Sequence, residues 1–176
     1  MAKTYLDELI DYPAKVIQKI CSSNECLALL LNKNINDITE DDIDIALEQH
    51  IFDYEYLDDT MLEAQSFIWV EIDIPDVSNK HIKDVRLYIT VACHKQTMKI
   101  NSNIIKGVGG NRRDNLVRYI DKILNNNKDF GIGKLKLEAV RSVTSSNQSF
   151  TLREISYEIS DFNIKEQLSA QAFGIR

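Results

Sequence analysis

Cys93 and His94 are adjacent in the sequence, and a thiol beside an imidazole suggests a nucleophile with its general base. The residues around them alternate between apolar and polar, which is typical of a β-strand. Neighbouring side chains of a strand point to opposite faces of the sheet, so these two groups cannot form the hydrogen bond that the chemistry requires. We therefore predict that Cys93 is a buried structural thiol.

Gly107, Gly109 and Gly110 form a glycine-rich loop in front of a predicted helix. Such a loop can bind phosphate through backbone N–H groups at the start of the helix. The dinucleotide-binding fingerprint, however, needs a third glycine where this chain has Arg112, and the sequence lacks the Gly-Lys-Ser/Thr of a P-loop. The pattern favours a flexible hinge that leads into a capped helix.

The metal-binding patterns are incomplete as well. Cys21 and Cys26 lack a second pair of ligands at zinc-site spacing, and the odd number of three cysteines predicts reduced thiols. Oxygen-bearing side chains between Asp37 and Glu48 match several positions of a calcium-binding loop, but Asp42 stands where the turn requires glycine. The sequence thus predicts no metal and no cofactor, and we expect that the protein is not an enzyme.

Charge is unevenly distributed along the 176 residues. Residues 1–80 contain 5 basic and 18 acidic side chains, residues 81–176 contain 16 basic and 9 acidic ones, and the whole chain has a net charge of −6. The two halves either neutralise each other within one molecule or present opposite charges to neighbouring subunits. The second alternative assumes exposed charges and gives a candidate subunit interface: Arg112, Arg113, Arg118, Asp53, Glu55, Asp58 and Asp59.

The same basic residues are compatible with nucleic-acid binding. Residues 83–136 contain 12 basic and 4 acidic side chains, among them Arg112, Arg113 and Arg118. The sequence has no recognised nucleic-acid-binding module, and its negative net charge lowers non-specific affinity for DNA. A nucleic-acid-binding accessory protein is therefore the less favoured alternative.

The part of the chain before Ser66 is patterned as helices. Pro13 suits the first turn of a helix, and apolar residues follow it at helical spacing. Residues 22–24 offer a cap for a second, short helix, and Thr39 with Asp42 approximates a capping box that opens a third. The longest apolar run has six residues, whereas a membrane span needs about 20, so we expect no membrane partner.

From Ser66 onward the apolar residues recur at every second position. This pattern predicts four strands, over residues 66–74, 85–94, 135–139 and 150–162. We expect Pro75 to end the first strand, because a proline cannot donate to the ladder. The polar stretch of about 95–110 has no clear period and is predicted to be a functional or mobile loop, after which Asn111 caps a helix.

These elements predict an α+β fold, with a mostly antiparallel sheet of about four to five strands packed with two or more helices. Residues 1–65 form an acidic helical N-terminal region packed on the core, residues 66–162 form the α+β core, and residues 163–176 form a C-terminal tail, all in a single domain. Eight apolar positions are predicted to share one buried core: Val70, Ile72, Leu87, Ile89, Leu116, Ile120, Leu137 and Ile159.

Three stretches resemble the small neck proteins of tailed bacteriophages: NRRDNL at 111–116, FGIGKL at 130–135 and REISYEISDF at 153–162. The predicted element order over about residues 66–162 is similar to that of tail terminator and head–tail joining proteins. The resemblance implies that this core is the protomer of a ring, usually hexameric, that closes the tail tube beneath the head.

The resemblance also implies a role and a set of partners. It implies a structural protein of the virion neck, synthesised in the cytoplasm of the host bacterium, and most closely a tail terminator. The implied partners are further copies in a homo-hexameric ring, the tail tube and the head connector, with DNA passing through the ring without sequence-specific binding. A head-completion or connector protein of the same neck is the alternative. Such proteins have no catalytic residues to carry over.

Overall fold

A computed structural model gives the structure of residues 5–57, 59–79, 82–127 and 134–160. These residues form four α-helices and a five-stranded, mostly antiparallel sheet, so the predicted α+β fold is confirmed. In chain order the elements are α1 (Tyr5–Cys21), α2 (Asn24–Leu30), α3 (Asp41–Gln49), β1 (Ile51–Phe52), β2 (Ser66–Asn79), β3 (Ile82–His94), α4 (Arg112–Leu124), β4 (Lys134–Val143) and β5 (Phe150–Ser160).

Helix α1 begins well before the proline that was predicted to open it. Pro13 lies inside the helix, so the prediction that it occupies the first turn is wrong. A proline in a helix interior removes one backbone hydrogen bond. Tyr12 before it and Val16 and Ile20 after it are all buried in the core, and this continuous packing stabilises the helix across the proline.

A side-chain cap defines the start of α2. The Ser23 hydroxyl accepts a hydrogen bond from the backbone N–H of Cys26 at 3.2 Å, which confirms the predicted cap of the second helix. At α3, the Asp42 carboxylate accepts hydrogen bonds from the backbone N–H and the hydroxyl of Thr39, at 2.7 and 2.9 Å. Only the acid's half of the predicted capping box is present, because the N-cap residue is Glu40 and its side chain makes no cap hydrogen bond.

The strand order in the sheet is β1-β2-β3-β5-β4. β1 pairs in parallel with Ile68 and Trp69 of β2, and the other neighbours are antiparallel. β1 was not predicted, since a strand of two residues has no readable period. β2 continues through Pro75 to its end, so the prediction that the proline ends it is wrong. The β2–β3 ladder shifts register between Asp73 and Asp76, where a proline is tolerated.

One face of the sheet is covered by α1, α2 and α4, and this face holds the main core. Six of the eight predicted core residues are buried there, and Ile72 and Leu137 are half-buried against the same cluster. The predicted strand register is therefore confirmed, because a slip of one residue would have turned these side chains to the opposite face.

The opposite face of the sheet carries a second, smaller apolar cluster. Five of its residues are buried: Phe67, Trp69, Ala92, Phe150 and Leu152. The segment between β1 and β2 covers them with Phe52, Leu57 and Met61. We call this side of the sheet the outer face.

The segment between β3 and α4 is anchored to the main core rather than free. Ile100, Ile104 and Ile105 are buried, and the carbonyl of Ile104 accepts a hydrogen bond from the backbone N–H of Ile35 at 2.9 Å. The predicted loop therefore packs on the main core through its three isoleucines, and a function for it stays a prediction.

Candidate functional site

Arg112, the first residue of α4, is a structural residue of the protomer. From the sequence we expect an exposed charge at this position, but the side chain is only 1% exposed and the expectation is wrong. Its guanidinium donates hydrogen bonds to the carbonyl of Thr97 at 2.7 Å, to the carbonyl of Leu29 and to the side-chain oxygen of Asn32. The last turn of a helix leaves carbonyls without intrahelical partners, and Leu29 lies in the last turn of α2. Arg112 thus joins two helices and is not available to a partner.

Arg113, the next residue, is mostly buried beside a shared carboxylate. Its Nε and Nη2 both lie 3.2 Å from Oδ1 of Asp114, and Arg153 of β5 donates to the same oxygen at 3.0 and 3.2 Å. Burial alone would raise the pKa of Asp114, but hydrogen bonds from Asn111, Arg153 and Arg113 outweigh it and lower the pKa below its usual value. Two guanidinium groups therefore compete for one carboxylate oxygen.

A cavity of about 370 Å³ opens next to this cluster, between the end of β3, the start of α4 and the β4–β5 turn (residues 144–149). We call it the basic cavity. It lies where β3 and β4 end and β5 begins, and its polar lining residues are Lys95, Arg113, Ser142, Thr144, Ser145, Gln148 and Thr151. Lys95 is exposed at its rim.

A smaller cavity of about 160 Å³ lies on the outer face, beside the same turn. We call it the acidic cavity, and the lining residues that matter here are Glu55, Trp69, Glu71, Thr90 and Glu154. Burial and the negative charges of Glu55 and Glu154 raise the pKa of Glu71. Within the described part of the chain, no Lys, Arg or His forms an ion pair with these three glutamates.

The predicted interface residues are found in several places. Asp53, Glu55 and Asp59 are exposed in the segment between β1 and β2, and Asp58 lies outside the described residues. Tyr56 of this segment stacks on Phe52 with ring centroids 4.0 Å apart. These aromatic contacts hold the acidic segment against the outer face.

Arg118 is exposed on α4, in the layer of helices on the other side of the sheet. Its guanidinium lies 4.9 Å from the ring centroid of Tyr119, and the ammonium of Lys122 lies 5.0 Å from the same ring. We call Arg118, Tyr119 and Lys122 the basic surface. Glu55 and Arg118 therefore lie on opposite sides of the sheet.

Several charged residues at these sites were not predicted: Lys95, Glu71, Arg153 and Glu154. Alternation along each strand predicts that the side chains of Glu71 and Glu154 point away from the main core. Their proximity, however, depends on β3 lying between β2 and β5, which is a property of the sheet order. The sequence pattern carries no signal for that order.

The adjacent cysteine and histidine lie on opposite faces of the sheet, as predicted. Cys93 is fully buried in the main core, and burial raises its pKa to about 11, which confirms the structural thiol. The His94 ring packs edge-on against Phe150 with centroids 5.1 Å apart.

Among the described residues, no three His, Cys, Asp or Glu side chains are grouped as a metal site would require. No described helix is long and apolar enough to cross a membrane.

Comparison with known proteins gives one match. No curated protein and no solved structure matches the chain. Residues 23–159 match the model of the YomW family, a family of the type found in the Bacillus phage SPBc2. The matched range begins at the cap of α2 and ends in β5, so it includes both cavities and the basic surface. The chain is therefore a phage protein and belongs to the YomW family.

Proposed function

We propose that the protein is a structural component of the phage neck, the tail terminator, whose subunits form a ring that closes the tail tube and joins it to the head connector. Three findings support the proposal: the phage family, the α+β fold, and the arrangement of charge on the protomer. The arrangement of charge is the observation that carries it.

The acidic surface is the acidic cavity with its three glutamates, Glu55, Glu71 and Glu154. It lies on the outer face of the sheet, whereas the basic surface lies on α4 in the layer of helices. The sheet lies between the two surfaces, and ion pairs require contact, since salt screens charges beyond about 8 Å. This placement supports pairing of the two surfaces between protomers rather than within one.

Two different and complementary surfaces on opposite sides of a protomer favour head-to-tail association. Such contacts are heterologous, and they form a closed ring when the rotation between subunits allows closure. Charge complementarity orients the subunits as they meet and excludes wrong pairings. A ring protomer with these surfaces needs no catalytic group, and we propose that the protein has no enzymatic activity. Its proposed partners are its own copies, the tail tube and the head connector.

Exchanging the charges tests this assembly. One variant carries Glu55→Lys and Glu71→Lys, and a second carries Arg118→Glu and Lys122→Glu. We expect each variant alone to lose the oligomer, because like charges then meet at every contact. An equal mixture should restore it with alternating subunits. Sedimentation velocity of each variant and of the mixture gives the measurement, and rising salt should weaken the wild-type assembly.

The matched control is Lys99→Glu with Lys106→Glu, which reverses two exposed charges outside both surfaces. This control should assemble like the wild type. An oligomer that survives both charge reversals, or a mixture that fails to assemble, would contradict the proposed contact. A head-completion or connector protein is the alternative in the same neck, and it differs from the tail terminator in the position of its ring.

A further inference from the structure

We propose that the basic cavity binds a phosphate group. The site lies within one protomer, between α4, the end of β3 and the β4–β5 turn, and so it does not depend on the proposed ring. The ligand is defined by its chemistry: a phosphate, carried either by a free phosphate ion or by a nucleic-acid backbone.

Positive charge exceeds negative charge around the cavity. Lys95 and Arg113 line it, and Arg153 stands next to it, where it donates to the hydroxyl of the lining residue Ser142 at 3.0 Å. Asp114 is the nearby acid, and its Oδ1 is shared by the two arginines while its Oδ2 accepts from Asn111 at 2.7 Å. Two guanidinium groups therefore share one carboxylate, and Lys95 adds an ammonium group to the cavity, which leaves positive charge for an incoming anion.

The cavity wall also holds a hydroxyl without a partner. The Ser145 hydroxyl oxygen is buried, and no hydrogen-bond partner for it exists among the described residues. Buried polar groups are nearly always paired, because a buried unpaired donor loses its bonds to water without replacement. Ser145 and Thr144 lie on the wall that the basic cavity shares with the acidic cavity, and on its basic side hydroxyl donors near cations are a common way to hold phosphate oxygens.

The dipole of helix α4 makes the electrostatic potential at the cavity more favourable for an anion. Arg113 is the second residue of this 13-residue helix, so the cavity lies at its positively polarised N-terminal end. The Asn111 side chain already caps the helix by accepting from the backbone N–H of Asp114 at 2.8 Å. The helix therefore contributes its dipole, and the side chains supply the direct donors.

The size of the cavity allows more than an isolated ion. At about 370 Å³ it exceeds the space that one phosphate needs, and Lys95 at the rim is exposed. A phosphodiester with its attached sugars can therefore place one phosphate at Arg113 while the rest of the strand leaves past the rim.

Calorimetric titration of the full chain with inorganic phosphate at low ionic strength tests the site. We expect one phosphate per protomer. Arg113→Gln should weaken binding about tenfold, because it removes a charged hydrogen-bond donor, and Lys95→Gln and Ser145→Ala should weaken it severalfold. The control is Lys106→Gln, which removes one exposed positive charge outside the cavity and outside both charged surfaces and should change the affinity less than about twofold.

A second titration distinguishes the two sources of phosphate. A labelled single-stranded oligonucleotide is followed by fluorescence anisotropy with the same variants. Tighter binding of the oligonucleotide than of inorganic phosphate, with competition between them, identifies the backbone as the source. Tighter binding of the free ion identifies the ion.

Three results would overturn the proposal. The first is no binding of either ligand to the wild type. The second is an equal loss in Arg113→Gln and Lys106→Gln, which indicates diffuse attraction. The third is binding of a polyglutamate peptide as tight as that of phosphate, which indicates a protein partner. Thermal melts check that each variant folds, and Lys95→Gln keeps the test decisive, because this exposed side chain forms no ion pair among the described residues. Lys106→Gln changes no charged side chain of the proposed ring surfaces or of this cavity, so failure of one proposal is separable from failure of the other.

Discussion

At the scale of single residues, Arg112 shows how a charge can serve the fold. A buried guanidinium is costly unless its donors are paired, and here all the described contacts are to oxygens. Burial lowers the pKa of Arg112, but an arginine stays charged, so the pairing persists at any physiological pH. A basic residue at a helix start is usually exposed, and the sequence alone gives no sign that this one lies against the end of α2.

Arg112→Ala should lower the free energy of unfolding by about 3 kcal/mol, because it leaves two buried carbonyls without their donor. Arg141→Ala, at an exposed arginine of β4 outside the basic surface, is the control and should change it by less than about 0.5 kcal/mol. Urea denaturation of both variants measures the difference. Equal and small effects would contradict the structural role of Arg112.

Glu71 is a residue whose charge opposes folding of the isolated protomer. Its pKa is raised in the folded state, so its ionised form is less stable there than in the unfolded chain. This destabilisation of the folded state is present at neutral pH and decreases as the pH falls through the raised pKa. It vanishes below the ordinary pKa of 4.5. A carboxylate that destabilises the isolated protomer is consistent with a cationic partner that pairs with it.

Glu71→Gln should therefore raise the melting temperature at pH 7 by about 1–2 °C, and the gain should disappear below pH 4.5. Thermal melts of monomeric protein across a pH series give the measurement. A gain that stays constant with pH would show that the charge of Glu71 is not its cause.

At the scale of elements, the sequence predicts a helix or a strand correctly wherever a capping residue or a two-residue alternation is clear. Asn111 and Ser23 cap the helices that they were predicted to cap, and the predicted alternation of faces over residues 66–73 and 85–94 is correct. The errors at Pro13 and Pro75 have one physical cause. A proline costs one hydrogen bond, and long-range packing or a shifted ladder at that position makes the cost tolerable.

Gly110, shortly before α4, has a backbone conformation that favours glycine. Its φ of +90° turns the chain into α4, and an added Cβ would lie 3.4 Å from the side-chain nitrogen of Asn115. Gly110→Ala should lower the free energy of unfolding by about 1–2 kcal/mol. Gly109→Ala is the matched control, because its added Cβ meets nothing within 4 Å, and it should be nearly neutral. Chemical denaturation of both variants checks the difference, and equal effects would contradict a specific need at Gly110.

At the scale of the whole molecule, the division of charge along the chain differs from its division in space. Glu154 belongs to the basic half of the sequence, yet it lies with Glu55 and Glu71 in the acidic cavity. The sheet order brings these residues together, and a count of charges along the chain cannot reveal it. The fold class was therefore predictable from periodicity, whereas the two cavities were not.

The central claim is that this YomW-family protein is a structural part of the virion neck. Quantitative mass spectrometry of purified virions, set against lysates of infected cells, tests it most directly. The account predicts that the protein purifies with intact particles at the copy number of a single ring, far below that of the tail-tube protein. A protein abundant in infected cells but missing from purified virions would contradict it.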